Sequence, residues 1–191
     1  MNKKIVIVDD EPITRMDIKD ILQAEGYSVV GEAADGFDAI EVCKKHLPDI
    51  VLMDIQMPLL DGLKASKKIM SENLAGGILL LTAFNDTEYI EKAKSVGAFG
   101  YLVKPLDEKS LISTLEMCLA RGEDFRNLKD DLEKLNRKFD ERKVVEKAKG
   151  MLMKEFKITE DEAYKKIRRL SMDKRCSMAE IAQTILINYE Y

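Results

Sequence analysis

The sequence predicts an α/β fold: a five-stranded, parallel, doubly wound domain, followed by a coiled-coil helix and a small three-helix bundle. Two observations predict it. Over the first 120 of 191 residues, short apolar runs alternate with segments of helical apolar spacing. Beyond residue 121, apolar residues follow helical spacing alone. The length also fits one domain of about 120 residues with a smaller appendage, since domains usually have about 100–200 residues.

The strands are predicted from short apolar runs bounded by turn residues. Residues 5–8 and 78–81 are continuously apolar, which is typical of strands covered on both faces. Between the runs, apolar residues recur at helical spacing, for example at Ile18 and Leu22, and again at Ile90 and Ala93. This alternation predicts right-handed crossovers between parallel strands. The predicted strands are 4–8, 28–33, 50–53, 77–82 and 100–103.

Polar side chains stand where four of these strands end. Asp9 and Asp10 follow the first strand, and Asp54 follows the third. Thr82 is the last residue of the fourth strand, and Lys104 follows the fifth. In parallel sheets the functional site lies outside the carboxyl ends of the strands, so these groups should meet in one crevice. Carboxylate oxygens suit Mg²⁺, and a carboxylate beside a cation can accept a phosphoryl group. The acids could also simply cap the following helices.

Several classes of function are excluded by composition. His46 is the only histidine, which excludes histidine-based triads and histidine-rich metal sites. Cys43, Cys118 and Cys176 are too few and too far apart for a disulfide framework or zinc finger, and they fit a reducing compartment. No apolar run approaches the roughly 20 residues of a membrane span. We therefore predict a cytoplasmic protein that does not enter the membrane.

Four motifs of the first 121 residues resemble those of bacterial response-regulator receiver domains: VDDEP at 8–12, LMDIQMPLLDG at 52–62, LTA at 81–83 and LVKP at 102–105. The resemblance covers 3–121. It implies a sensor histidine kinase as partner, Asp54 as the phosphoacceptor, and a cis peptide bond before Pro105. It also implies a Mg²⁺ site and a phosphoryl-binding switch. The implied Mg²⁺ ligands are Asp9, Asp10, Asp54 and the backbone of Gln56, and the implied switch residues are Thr82, Lys104 and Tyr101.

A different class with aspartyl-phosphate chemistry is the haloacid-dehalogenase type of phosphatase. It requires a second Asp two positions after the nucleophilic Asp of the first strand. Glu11 stands at that position after Asp9. The resemblance to receiver domains instead implies a phosphoacceptor and not an enzyme, with at most slow Mg²⁺-dependent self-phosphorylation and self-dephosphorylation.

Residues 122–141 are predicted to be a coiled-coil dimerisation linker. Apolar residues there are spaced alternately three and four apart, which is the a/d pattern of a coiled coil, and the other positions are polar. An amphipathic helix packed on its own chain would show the same seam. We expect a homodimer on activation. The seam consists of Phe125, Leu128, Leu132, Leu135 and Phe139.

Charge differs between the two parts of the chain. Residues 1–120 hold 13 basic and 20 acidic residues, whereas residues 121–191 hold 18 basic and 15 acidic. A basic patch favours a polyanionic partner, although solvated helix faces rich in lysine have the same composition. Residues 142–191 are predicted to form three helices, two of which open with the capping-box pairs Thr159–Glu162 and Ser177–Glu180. Such a unit could bind DNA as a helix-turn-helix, bind RNA, or dock a protein.

The pattern RKVVEKAKGMLM at 142–153, TEDEAY at 159–164, LSM at 170–172 and AEIA at 179–182 resembles the ANTAR domain of the AmiR and NasR type. Ser171 departs from the alanine usual there. The whole arrangement is similar to the ethanolamine-utilisation antiterminator regulators. The resemblance implies that the unit binds paired hairpins in leader mRNA and causes transcription antitermination. A DNA-binding transcriptional response regulator is the alternative. The candidate RNA-binding residues are Arg142, Lys149, Gly150, Tyr164, Lys165, Arg168 and Arg169.

Overall fold

The computed structural model describes residues 3–83, 91 and 93–189. The chain divides into two compact units, Met1–Asn127 and Leu128–Tyr191. Ile90, on which part of the predicted helical spacing rests, lies outside the described residues. None of the helices within the described ranges has both the length and the apolar character that a membrane span requires.

The first unit contains one sheet of five parallel strands: β1 Lys4–Val8, β2 Ser28–Ala33, β3 Ile50–Asp54, β4 Ile78–Thr82 and β5 Gly100–Val103. Their order in the sheet is β2-β1-β3-β4-β5. The predicted strands are confirmed to within one residue at each end. This order places the end of β1 directly beside the end of β3, so that the residues following the two strands become neighbours.

The described helices are α1 Pro12–Ala24, α2 Gly36–His46, α3 Gly62–Ser71, α4 Glu108–Phe156, α5 Glu160–Lys174 and α6 Met178–Tyr189. All of them except α1 begin after a residue whose side chain caps the helix, whereas α1 begins at Pro12 without a side-chain cap. The Asp35 carboxylate accepts hydrogen bonds from the first backbone amides of α2, and Asp61 does the same for α3. The capping box predicted at Thr159 is confirmed at the start of α5.

Alternate residues of the strands are buried on opposite faces of the sheet, as expected for a doubly wound domain. One core lies between the sheet and α2 and α3, and it includes Val6, Met53 and Ile69. The other lies between the sheet, α1 and the first turns of α4, and it includes Ile7, Leu22 and Leu115. Burial on both faces constrains the register of the central strands β1, β3 and β4, because a slip of one residue would exchange the two faces.

α4 is a single helix of 49 residues. The helix predicted over residues 122–141 lies within it. Gly122 does not interrupt it. A Cβ atom at Gly122 would lie 3.3 Å from the backbone oxygen of Gly76, so the glycine allows the helix to pass close to that loop.

The second unit has a small apolar core of its own. It is formed by one face of the last turns of α4 together with the inner faces of α5 and α6. This confirms a helical unit built from three helical segments, the first of which is the end of α4. The fully or almost fully buried side chains are Ala148, Leu152, Ala163, Ile167 and Ala182.

Candidate functional site

Three carboxylates meet at the carboxyl edge of the sheet. Oxygen atoms of Asp9, Asp10 and Asp54 all lie within 4.8 Å of one another. Asp9 is fully buried and Asp54 is 5% exposed, whereas Asp10 is exposed to solvent. The predicted meeting of these side chains is therefore confirmed, and it follows from the pairing of β1 with β3.

Lys104 brings a positive charge to this cluster. Its Nζ lies 2.7 Å from Asp9 Oδ2 and 2.8 Å from Asp54 Oδ2. Burial raises the pKa of the Asp54 carboxyl, and this outweighs the hydrogen bond and the charge of Lys104. Burial lowers the pKa of Lys104, but its hydrogen bonds to Asp54 and Asp9 outweigh burial and leave the pKa raised. The peptide bond between Lys104 and Pro105 is cis, as predicted.

The remaining predicted receiver residues surround the same edge. Thr82 is buried at the end of β4. The backbone amide of Gln56 donates a hydrogen bond to Asp54 Oδ1 at 3.4 Å. Tyr101 lies on β5, opposite Leu80 of β4, and its side chain is 37% exposed.

The donor set of this cluster fits a divalent cation. Lys104 offsets one of the three negative charges, and the remaining two match the charge of Mg²⁺. Asp9 Oδ2 is buried, and Lys104 Nζ lies 2.7 Å from it. All three side chains offer oxygen, the ligand that Mg²⁺ prefers. A cleft of about 770 Å³ opens beside Asp10 and gives access from solvent.

Two residues that support the site were missed by the sequence analysis. Arg15 donates a hydrogen bond to the backbone oxygen of Asp9 at 2.6 Å and also lies near Glu32, with Nε 3.7 Å from its carboxylate. A Cβ atom at Gly62 would lie only 1.8 Å from the backbone oxygen of Asp54. Gly62 is the last residue of the motif at 52–62, but nothing in the local sequence shows that it lies against Asp54.

Most of the predicted RNA-binding residues lie on the surface of the second unit. Arg142, Arg168 and Arg169 are exposed, and the Lys165 ammonium is paired with Asp161 at 2.5 Å. Tyr164 is 41% exposed, which places it at the surface and not in the core. A Cβ atom at Gly150 would meet no described atom within 4 Å, so its backbone is open to approach.

Lys149 differs from these residues because it is buried. It is 6% exposed, and its Nζ lies 2.7 Å from Glu160 and 2.9 Å from Glu146. These two hydrogen bonds raise the pKa of Lys149, so the ammonium stays charged at neutral pH. Direct RNA contact by Lys149 stays a prediction. In this structure its charge is directed to two carboxylates.

The predicted dimerisation residues carry large apolar side chains at the surface. Their exposed fractions lie between 54% for Phe125 and 67% for Phe139. The Phe125 ring also packs edge-on against Phe99 of the first unit, with ring centroids 6.3 Å apart. The first residue of the seam therefore already has an apolar partner within its own unit.

Comparisons with known proteins match both units. A family model described as a response regulator receiver domain matches residues 5–116, and one described as an ANTAR domain matches residues 133–186. The transcriptional regulatory protein PdtaR of Mycobacterium tuberculosis strain H37Rv is 39% identical over 184 residues, which are 96% of this chain and 89% of that protein. The chemotaxis protein CheY of Thermotoga maritima is 38% identical over 115 residues, which are 60% of this chain and 96% of that protein.

Solved structures give the same result for the first unit. The crystal structure of the complex of CheX with CheY, BeF3 and magnesium from Borrelia burgdorferi aligns with a TM-score of 0.57 and 30% identity, over 59% of this chain and 86% of that chain. The receiver match covers more than half of the chain, and the PdtaR match covers nearly all of it. The chain therefore belongs to the response regulators and carries a receiver domain followed by an ANTAR domain.

Proposed function

We propose that this chain is an antiterminator controlled by phosphorylation. A sensor histidine kinase transfers a phosphoryl group to Asp54, and the ANTAR unit then binds paired hairpins in leader mRNA so that transcription passes a terminator. The observation that carries this proposal is the union in one chain of the Asp9, Asp10, Asp54 and Lys104 cluster with an ANTAR unit that exposes basic residues.

Asp54 is the acceptor in this proposal because its carboxylate lies within reach of Asp9, Asp10 and Lys104 at the edge of the sheet. A carboxylate oxygen forms a bond to phosphorus while the bond from phosphorus to the kinase histidine nitrogen breaks. Lys104, 2.8 Å from Asp54 Oδ2, is in reach of the incoming phosphoryl oxygens and offsets their charge. Mg²⁺ held by Asp9, Asp10, Asp54 and the backbone carbonyl of Gln56 would neutralise further charge on those oxygens. The magnesium named for the similar CheY complex supports this assignment.

The added charge then changes the surface of the receiver. Thr82 and Lys104 bind the phosphoryl group, and the half-exposed Tyr101 reorients with Thr82. We assign 3–121 to the receiver, 122–141 to a dimerisation linker and 142–191 to the RNA-binding unit. The exposed seam of α4 then pairs two copies, and two linked units on tandem hairpins gain affinity through effective concentration.

Phosphorylation is tested with acetyl phosphate and a gel that separates phosphorylated protein. We expect wild type to be modified and Asp54→Ala to remain unmodified. Asp38→Ala, which removes an exposed carboxylate from α2, is the matched control and should be modified like wild type. Modification of Asp54→Ala at the wild-type level would contradict the assignment of the acceptor.

RNA binding is tested by filter-binding competition between tandem RNA hairpins and duplex DNA at two salt concentrations. We expect the protein to bind hairpin RNA more tightly than duplex DNA. Its affinity for the RNA should fall steeply as the salt concentration rises, because phosphate contacts release counterions. The double variant R168Q/R169Q should bind more weakly and lower the salt slope by about 0.7–0.9 for each lost contact. The control K45Q/K67Q removes the same charge from exposed sites of the receiver and should bind normally. Preference for duplex DNA would support the DNA-binding alternative, and binding indifferent to salt would indicate a protein-docking module.

A further inference from the structure

We infer that Lys149 is a positioning residue, which holds the start of α5 against α4 so that the basic residues of α5 and Arg142 of α4 face the same ligand. The inference rests on the proposed RNA-binding function. It assigns Lys149 a role distinct from direct contact with RNA.

The first observation is burial of a charged residue. Lys149 lies on α4 between Ala148, which is fully buried, and Gly150, which is open to solvent. Its side chain is 8% exposed. Burial of a lysine ammonium lowers the free energy of unfolding unless the charge is paired. Here the Lys149 ammonium is paired with two carboxylates.

The second observation is where those carboxylates lie. Glu146 is one turn earlier on α4, but Glu160 is the first residue of α5. The contact between Lys149 and Glu160 therefore bridges the connection between the two helices. That connection contains Lys157, whose φ of 52° is in the left-handed region, and it ends at the Thr159 cap. The cap fixes the first turn of α5 but makes no bond to α4, so Lys149 supplies a cross-link that the cap does not.

A second contact nearby also joins α5 to α4. The Lys166 ammonium lies 4.1 Å from the centroid of the Phe156 ring, and this joins the middle of α5 to the last residue of α4. Two lysines thus hold α5 against the end of α4 on either side of the connection. On this inference, the packing sets the orientation of Arg168 and Arg169 relative to Arg142.

The third observation is electrostatic and separates two explanations. Glu160 and Glu146 keep 67% and 55% of their side chains exposed, and both carboxylates pair with the buried Lys149 ammonium. If Lys149 contacts RNA directly, Glu160 competes for its ammonium, and removing the Glu160 charge should strengthen binding. If Lys149 positions α5, removing that charge breaks the cross-link and should weaken binding. The two explanations therefore predict opposite signs for one substitution.

The test uses the full, phosphorylated chain and tandem hairpin RNA, with Lys149→Met, Glu160→Gln and the double variant. We expect each single variant to weaken RNA binding by about three- to tenfold and to leave the salt slope unchanged, since no phosphate contact is lost. The double variant should bind no more weakly than Lys149→Met alone, and Lys149→Arg should restore most of the affinity. Lys165→Met is the comparison for a direct contact and should lower the salt slope by about 0.7–0.9.

Stronger RNA binding by Glu160→Gln, or a salt slope lowered by Lys149→Met, would overturn the inference. A thermal unfolding cycle on the same variants reports on the cross-link without RNA. We expect the two substitutions to be clearly non-additive, whereas the exposed pair Asp131 and Lys134 should show almost no coupling. If wild type binds no hairpin RNA, the proposed function fails, and the unfolding cycle alone decides on the cross-link. Additive effects in that cycle would reject it.

Discussion

Gly62→Ala is the substitution for which the structure gives the clearest prediction. Gly62 is the first residue of α3, and an added Cβ atom would lie 1.8 Å from the backbone oxygen of Asp54. Ordinary contact begins near 3.4 Å, so the two backbones must move apart by about 1.6 Å. The Asp54 oxygen belongs to the backbone of a fully buried strand, so no side-chain rotation can relieve the clash.

Gly62→Ala should therefore lower both the free energy of unfolding and the rate of phosphorylation. Overpacking of a buried site costs about 1–3 kcal/mol, and we expect the upper end because backbone must move. A displacement of about 1 Å at a reacting group can lower the rate about a hundredfold, and we expect a loss of this order in phosphorylation of Asp54. The free energy of unfolding is measured by urea denaturation followed by circular dichroism, and the rate is measured with acetyl phosphate.

Gly150→Ala is the matched control, because it makes the same chemical change in open space. A Cβ atom there meets no described atom within 4 Å, and alanine favours a helix interior over glycine by about 1 kcal/mol. We expect the control to be at least as stable as wild type and to be phosphorylated normally. Wild-type stability and wild-type phosphorylation of Gly62→Ala would refute the argument from close approach.

Four further outcomes are expected. Burial raises the pKa of the Asp54 carboxyl above 3.8, so Asp54 binds a proton more tightly in the folded protein than in the unfolded chain. The free energy of unfolding therefore falls as the pH rises and Asp54 ionises. Asp54→Asn should thus raise the thermal midpoint in a chelator, more at pH 7 than at pH 4.5, and an equal or smaller gain at pH 7 would contradict this. Burial raises the pKa of Cys43 to about 12 and of Cys118 to about 11, so in native protein at pH 8 iodoacetamide should label only Cys176, as peptide mass spectrometry can show. Leu128→Lys with Leu135→Lys should give monomers by light scattering after phosphorylation, whereas Lys129→Gln should still dimerise; a dimeric double-lysine variant would reject the seam. Gly150→Ala should weaken hairpin binding in a gel shift, and unchanged binding would remove Gly150 from the RNA surface.

The sequence was sufficient for features that depend on local spacing. Alternating apolar runs predicted five strands, and the pairs Thr159–Glu162 and Ser177–Glu180 predicted two helix starts, since a capping box is complete within four residues. The acidic cluster was also predictable, because the carboxyl ends of parallel strands meet at one edge of the sheet. The meeting of Asp9 with Asp54 is confirmed in the structure, while the roles of these residues remain predictions.

Tertiary structure decided what depends on contacts between distant residues. The sequence assigns Lys149 to a basic surface, yet the packing of α5 on α4 buries it against Glu160. The sequence gives no sign that Gly62 and Asp54 are in contact, and only the fold places Gly62 against the Asp54 backbone. Helical and strand periodicity specify which face of an element is apolar, and they do not specify which atoms of another element that face will meet. That information arises only when the elements pack.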